Sequence, residues 1–219
     1  KGIGYVARTN IPKNTIILKE TPTFELASKE KIYSDMFQLL YKIMTSNNLK
    51  TIDKFKKFMP KNICKFKHLT SKIFKELNRL KSSPYSYIFY YFKKHYSDDE
   101  IILLCAKYIC NAFQFQRSPV ILLKGRIFNH SCLPNVIFYP KNNKMFFKTI
   151  CDIHKGEELC DSYIDIDLNK YQRQKDLSYR YGFCCNCIRC QEENNNLQKK
   201  IISKKNKHQL LKKKLKLNY

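Results

Sequence analysis

Acidic residues and long apolar segments are what this sequence has least of. Only 18 of its 219 residues are Asp or Glu, against 42 Lys or Arg, so the formal net charge is +24. No run of about 18 apolar residues occurs, which excludes a membrane-spanning helix and predicts no membrane partner. No internal repeat is visible, and a hydrophobic content of 43% is enough for one substantial core. We therefore expect one domain, or one domain with a smaller annex.

The excess of positive charge has two interpretations. The functional one is attraction to polyanions such as nucleic acid. The other is composition, because Lys far outnumbers Arg, and Lys, Ile, Asn and Tyr are enriched along the whole chain. Base-edge contacts and bidentate phosphate contacts favour Arg over Lys. We favour the compositional interpretation over a dedicated site, and keep electrostatic contact with nucleic acid as a partner hypothesis.

The ten cysteines are unevenly distributed, because four of them fall within residues 184–190. Sulfur atoms two or three residues apart can bind one metal ion more easily than they can form separate disulfides. This pattern predicts a reducing compartment and a zinc site with three ligands here, which are Cys185, Cys187 and Cys190. For the fourth ligand we favour Cys132 over His154, since Cys132 follows a polar Asn-His-Ser turn. Four thiolates leave the metal no open position, which is typical of a structural site.

Periodicity divides the chain into strand-rich and helical parts. Glycines and β-branched residues predict strands near the start, whereas apolar residues recur at helical spacing through the next segment. There, Ser97 followed by three acidic residues predicts a helix start. A hairpin is predicted after Pro119 and a helix over 168–179. The predicted boundaries are 1–27 and 116–180 for the two parts of the main domain, 28–115 for a helical insertion, 181–193 for the cysteine segment and 194–219 for a basic helical tail.

Two further patterns contain side chains that can take part in catalysis, but they do not define a reaction. Asn129 and His130 could form a nucleophile-and-base pair with a neighbouring Ser or Cys, but no third orienting group is evident. A satisfied structural turn is the commoner role of such a pair. Tyr163 ends a predicted strand, where a tyrosine can orient an amine or simply pack in the core. Neither pattern alone assigns a function.

Four motifs follow one another in a characteristic order. They are Gly2-Ile-Gly4, Asn129-His-Ser-Cys-Leu-Pro-Asn135, Gly156-Glu-Glu-Leu followed by Tyr163, and Cys185-Asn-Cys-Ile-Arg-Cys190. In this order and spacing the chain resembles the SET-domain protein lysine methyltransferases, and is most similar to their MYND-SET (SMYD-type) branch. The resemblance covers Lys1–Lys19 and Leu103–Glu193. It implies an α+β fold of short β-sheets with a pseudoknot, a helical insertion and a C-terminal zinc-binding post-SET segment.

The resemblance also implies a role for each site residue. The implied cofactor is S-adenosylmethionine, contacted by Lys1, Gly2, Ile3, Asn111, Asn129, His130, Tyr163 and Phe183. The implied catalytic residues are Tyr163, near the transferring methyl, and Tyr181, which lines the lysine channel. One structural Zn²⁺ is implied, bound by Cys132, Cys185, Cys187 and Cys190. In this chemistry a neutral lysine amine attacks the sulfonium methyl in line. The protein mainly aligns the two groups and surrounds the methyl with polar groups.

The chain also departs from that branch. The MYND module is absent, because residues 28–100 contain too few Cys and His, and Ile3 stands where a polar residue is common. The leading hypothesis is a methyltransferase acting on a lysine of a histone or another protein, as a nuclear or cytoplasmic monomer. The alternative is a catalytically weak SET scaffold that binds chromatin or nucleic acid through its charge. The chain begins with Lys1 rather than Met, so we expect a fragment of a longer protein.

Overall fold

The computed structural model describes residues 3–26, 35–116 and 118–195, in which strands are followed by helices, then by more strands and a last helical part. The strands are β1 Tyr5–Val6, β2 Ile16–Glu20, β3 Phe24–Glu25, β4 Ala112–Phe115, β5 Ser118–Ile121, β6 Asn129–His130, β7 Val136–Lys141, β8 Lys144–Thr149 and β9 Glu158–Asp161. The helices are α1 Asp35–Met44, α2 Leu49–Lys56, α3 Thr70–Leu80, α4 Ser86–His95, α5 Asp98–Asn111 and α6 Lys170–Tyr181. Residues 188–195 are also helical.

Within these ranges the strands form three small sheets of three strands each. Their strand orders are β1-β9-β6, β2-β8-β7 and β3-β5-β4. In the first sheet, β9 runs antiparallel to β1 but parallel to β6. The parallel pairing aligns Asn129 with Cys160 and His130 with Asp161. Two motifs about 30 residues apart in sequence, Asn-His-Ser and the segment before Tyr163, are thereby side by side.

The predicted hairpin has the turn that its residues favour. Strands β7 and β8 pair from Val136↔Thr149 to Lys141↔Lys144. Asn142 and Asn143 between them have positive φ values of 47° and 56°. Two consecutive residues with positive φ match the right-handed twist of the flanking strands, and Asn tolerates that conformation better than most residues.

The helix boundaries follow capping chemistry. Ser97 and Glu100 form a capping box at the start of α5, where the sequence predicts a helix start. Helix α6 begins and ends two residues later than the predicted 168–179. The Asn169 side chain accepts a hydrogen bond from the Gln172 amide, which sets its start, and Gly182 ends it in a left-handed conformation with φ 72°.

The predicted helical insertion is not helical to its end. Its last residues, 112–115, form β4, which pairs with β5 from Ala112↔Ile121 to Phe115↔Ser118. Helix α5 stops at Asn111 because Ala112 already has extended backbone angles, φ −79° and ψ 137°. The helices of the insertion therefore end at Asn111, and a strand leads from there into the rest of the domain, because apolar periodicity alone does not show where a helix becomes a strand.

Two of the three hydrophobic clusters among the described residues are large. The larger core joins the helices and includes the fully buried Phe37, Phe55 and Phe92. The second core joins the sheets around Phe147 and Val136. Fully burying each such side chain contributes about 1.5–3 kcal/mol. In the described part of the chain, no helix combines the length and apolar character needed to cross a membrane.

Candidate active site and cysteine cluster

The start of the chain meets the Asn-His-Ser segment at Gly4. The Asn129 amide donates a 2.6 Å hydrogen bond to the Glu158 carboxylate, which joins β6 to β9. A Cβ atom on Gly4 would lie 2.4 Å from Asn129 Nδ2 and 2.8 Å from Glu158 Oε1. A residue with a side chain at this position would force the Asn129 and Glu158 side chains to shift, so glycine permits this close approach at no cost.

His130 has one defined tautomer. Its Nδ1 accepts a hydrogen bond from the Tyr163 amide at 3.1 Å, so the ring proton is on Nε2. Nε2 lies 3.4 Å from Cys132 Sγ and can donate to that sulfur. Burial, with the nearby charge of Arg173, lowers the pKa of His130 to about 4. The ring is therefore neutral near pH 7 and connects the Tyr163 backbone to the cysteine cluster.

Two tyrosines and a phenylalanine pack beside His130. The ring centroids of Tyr163 and Tyr181 are 5.0 Å apart, and the Phe183 centroid lies 6.0 Å from that of His130. The Tyr163 hydroxyl donates to the Phe128 carbonyl at 2.6 Å, and the Tyr181 hydroxyl donates to the Tyr163 carbonyl at 3.0 Å. Burial raises the pKa of both phenols, so both stay neutral. The hydroxyls hold the rings in place, and the four rings form one aromatic cluster.

A residue missed by the motif reading, Asp161, is buried next to this cluster. Its side chain is fully buried, and among the described residues neither carboxylate oxygen accepts a hydrogen bond from a residue other than Asp161 itself. Burial raises its pKa well above the ordinary value of 3.8. Strand alternation puts Asp161 on the same buried face as Leu159. The sequence does contain a signal for this residue, which is an acidic side chain at a strand position that alternates with the apolar Leu159.

The other predicted cofactor contacts are less closely grouped. Asn111 is buried at the end of α5, where its amide donates at 2.7 Å to the carbonyls of Met59 and Lys107. Its predicted contact with the cofactor stays a prediction. Ile3 is 87% exposed. Lys1 and Gly2 lie outside the described residues.

The four cysteines predicted as zinc ligands lie together. The sulfur atoms of Cys132, Cys185, Cys187 and Cys190 are all within 4.8 Å of one another and could hold a metal ion. His154, the competing fourth ligand, is not part of this group. Burial opposes ionisation of Cys187, but hydrogen bonds from the backbone of Cys190 and Cys132 outweigh it and lower the Cys187 pKa to about 6. A thiolate is the form that binds zinc.

Long polar side chains attach the cysteine segment to the rest of the protein. Gln174 on α6 exchanges two 2.8 Å hydrogen bonds with the backbone of Cys185. Arg189 donates to the Cys132 and Ile166 carbonyls at 3.1 and 2.8 Å. The fully buried Arg173 pairs with Glu193 at 2.6 Å. These contacts connect the segment to the loop that carries Cys132 and to α6.

The fold as a whole is similar to that of solved SET domains. The solved structure of the SET domain of LSMT bound to lysine and AdoHcy matches with a TM-score of 0.58 at 14% identity. The match covers 83% of this chain and 50% of that chain. Identity this low shows the fold alone, and it confirms the predicted α+β SET fold.

The family model for the SET domain matches residues 2–164, and this chain belongs to the SET-domain family. The SET domain-containing protein L678 of Acanthamoeba polyphaga mimivirus is 42% identical over 190 residues, which are 87% of this chain and 74% of that protein. N-lysine methyltransferase SMYD2 of Bos taurus is 30% identical over 150 residues, 64% of this chain but 35% of its own length. The predicted resemblance is confirmed, and the predicted class of enzyme is confirmed at the level of the family.

Proposed function

We propose that this chain is an S-adenosylmethionine-dependent protein lysine methyltransferase. The observation that carries the proposal is the junction of β6 and β9, where Asn129 and His130 meet the Tyr163–Tyr181 pair. When bound, the cofactor would supply an electrophilic methyl group on a sulfonium. The SMYD2 relative is named a lysine methyltransferase, and the LSMT structure holds lysine with AdoHcy, which supports the same chemistry.

The residues at this junction fit such a cofactor. Gly4 lets the backbone approach Asn129 closely, which suits a segment that contacts a ligand through its main chain. His130 is neutral, so it does not repel a sulfonium. The electron-rich faces of Tyr163 and Tyr181 attract a cation. Asn129, His130, Tyr163 and Phe183 would hold the cofactor here.

The tyrosines act by orientation rather than by proton transfer. Their hydroxyls are bound to backbone carbonyls, and their raised pKa values keep them protonated near neutral pH. Neither phenol is therefore a good base. Two fixed rings 5.0 Å apart can instead confine an alkyl amine and restrict its approach direction.

The cysteine cluster fits a structural Zn²⁺. Its donor set is four sulfurs from two separate segments, which is the closed arrangement of structural sites. A zinc ion with four thiolates carries two net negative charges. The buried guanidinium of Arg173, next to Cys132 and Cys190, offsets part of that charge. Zinc would thus hold residues 185–190 against Cys132, two residues from His130.

The substrate in this proposal is a lysine side chain of a protein, either a histone or another protein. The net charge of +24 supports recruitment of substrates that are acidic or bound to nucleic acid. Substrate screening should therefore include histones both free and in complex with DNA.

Calorimetric titration with S-adenosylmethionine and with its demethylated product tests the cofactor site. We expect saturable binding that is lost in Asn129→Ala, because the variant removes the side chain beside Gly4. Asn47→Ala, at an exposed position in the helical part, is the matched control and should bind normally. Thermal melts of all three proteins separate loss of binding from loss of folding.

A folded, zinc-loaded protein that binds neither ligand would contradict the proposal. Binding without methyl transfer to any lysine-bearing protein would instead favour a SET scaffold that has lost turnover. Transfer of a labelled methyl group to a lysine, identified by mass spectrometry of the product, would establish the activity.

A further inference from the structure

The outer face of the β2-β8-β7 sheet is built mainly from aromatic and basic side chains. Along β8, Met145 and Phe147 are buried in the core of the sheets, and the residues that alternate with them belong to the opposite face. Strand pairing extends that face onto the two neighbouring strands. We call it the basic sheet face, and its aromatic and basic members are Lys19 on β2, Tyr139 and Lys141 on β7, and Lys144, Phe146 and Lys148 on β8.

Two aromatic rings lie side by side in the middle of this face. Tyr139 and Phe146 are directly opposite in the β7–β8 register, with ring centroids 5.6 Å apart and planes within 15° of parallel. Lys19, opposite Phe146 on β2, has its Nζ atom 5.5 Å from the centroid of that ring. Both rings are partly exposed, and neither belongs to a hydrophobic cluster of the described residues. Packing in the core therefore does not account for them.

The charged side chains of the basic sheet face are all positive. Lys141 and Lys144 are exposed and directly opposite each other, although like charges in such a pair destabilise a sheet. β7 and β8 contain no acidic residue. The acidic residue of β2, Glu20, is on the other side, where its carboxylate accepts hydrogen bonds from the Leu123 and Gly125 amides. No ion pair found in the described part of the chain includes a lysine of this face.

The spacing of the lysines places positive charge on both sides of the rings. Lys144 and Lys148 are each two residues from Phe146, which is about 7 Å along a strand. Ile16 and Ile137 lie opposite Lys148 on the neighbouring strands and are 42% and 40% exposed, so they add apolar surface beside the rings. Lysine is frequent along the whole chain and alone would not identify a site. The two rings among the lysines are what distinguish this face.

We propose that the basic sheet face binds single-stranded nucleic acid. Its lysines suit the phosphates and its rings suit the bases, because proteins bind single strands by combining positive charge with aromatic rings on which bases stack. A duplex keeps its base faces inside the helix, so it would use the lysines and leave the rings unused. The rings therefore favour a single strand over a duplex or an acidic protein segment. This face lies on a different sheet from the Asn129–Tyr163 junction, and the inference does not depend on the methyltransferase function.

Fluorescence anisotropy with oligonucleotides of about 12 nucleotides, at about 200 mM salt, tests the proposal. The probes are oligothymidylate, oligouridylate and a mixed-sequence duplex of the same length. We expect at least one single strand to bind more tightly than the duplex, and the tighter of the two identifies DNA or RNA as the preferred ligand. Phe146→Leu and Tyr139→Leu should each weaken single-strand binding about tenfold and leave duplex binding unchanged. Tyr171→Leu, which removes a 76% exposed ring from α6, is the matched control and should bind normally.

The lysines are tested with two double variants of equal net charge. Lys19→Ala/Lys144→Ala changes the basic sheet face, and Lys50→Ala/Lys54→Ala changes exposed positions of α2. The first variant should reduce the slope of log K against log salt by about 1.4, because each phosphate contact in a single strand contributes about 0.7. The second should keep the wild-type slope. Equal slopes in the two variants would assign binding to the charge of the whole chain and overturn the proposal.

Three further outcomes would overturn the proposal. They are equal affinity for single strands and duplex, ring variants that bind as wild type does, and displacement of the bound strand by polyglutamate at the same concentration of charge. The last result would indicate an acidic protein partner. Thermal melts and titration with S-adenosylmethionine show whether each variant keeps its fold and cofactor site. Single-strand binding by a protein that methylates no lysine would contradict the proposed function and leave this inference in place.

Discussion

At the scale of single residues, two positions are important for the site. Gly4 matters because it has no side chain, and any Cβ atom there would meet the Asn129 and Glu158 side chains. Asp161 matters because its buried carboxylate accepts no hydrogen bond from another described residue. Both are positions where a small change should affect function more than the average surface substitution.

Gly4→Ala should weaken binding of S-adenosylmethionine at least tenfold, which corresponds to about 1.4 kcal/mol. The reason is steric, since the new Cβ atom would lie 2.4 Å from Asn129 Nδ2, and the amide would have to move away. Calorimetric titration measures the effect.

Gly156→Ala is the matched control for backbone strain. Gly156 has a φ of 91°, but a Cβ there meets nothing within 4 Å. We expect a loss of about 1 kcal/mol in stability with cofactor affinity unchanged. Equal effects of the two substitutions on binding would show that the close approach at Gly4 is unimportant.

At the scale of elements, the cysteine segment is fixed by its attachments more than by its own structure. Residues 188–195 are helical, but polar contacts made by Gln174, Arg173 and Arg189 join the segment to the body of the protein. Helix α6 ends at Gly182, between Tyr181 and Phe183, so this segment and the aromatic cluster are connected through the chain.

Cys187→Ser should release zinc and lower the Tm, because binding energy at a structural site stabilises the folded state directly. Elemental mass spectrometry and thermal melts are the measurements. The control is Cys184→Ser, an exposed cysteine three positions away and outside the cluster, which should keep both metal and stability. An unchanged zinc content in Cys187→Ser would contradict the assignment.

At the scale of the whole molecule, the chain combines a SET fold with a helical part and a large positive charge. The helical part has its own extensive core, which also includes Phe24 of β3 and Ile121 of β5. The chain spans 35% of SMYD2 and 50% of the matched LSMT chain, so these larger proteins contain further parts. A monomeric state and a nuclear or cytoplasmic location stay predictions.

The net charge should give nucleic-acid binding that depends steeply on salt and not on base sequence, because counterion release dominates such binding. Fluorescence anisotropy with two unrelated duplexes at about 50 and about 200 mM salt measures this. A clear preference for one duplex that persists at the higher salt would contradict the compositional interpretation and point to a dedicated site.

Local chemistry in the sequence determined the features that depend on neighbouring residues. The capping box of α5 and the Asn-Asn turn of the hairpin follow from residues a few positions apart. The order and spacing of the four motifs identified the family, because each motif is a short contiguous pattern. The same reasoning grouped three cysteines within 185–190, where spacing alone brings sulfurs together.

Tertiary structure decided what depends on residues far apart in the chain. Only folding brings Cys132 next to Cys190 and leaves His154 elsewhere, and only folding turns the Asn111 amide towards the Met59 carbonyl. The fold places Asp161 on the buried face of β9, where the elements packed around it supply its carboxylate with no donor from another described residue. Burial and hydrogen bonding are properties of that packing, so the electrostatics of the site could not be read from the sequence.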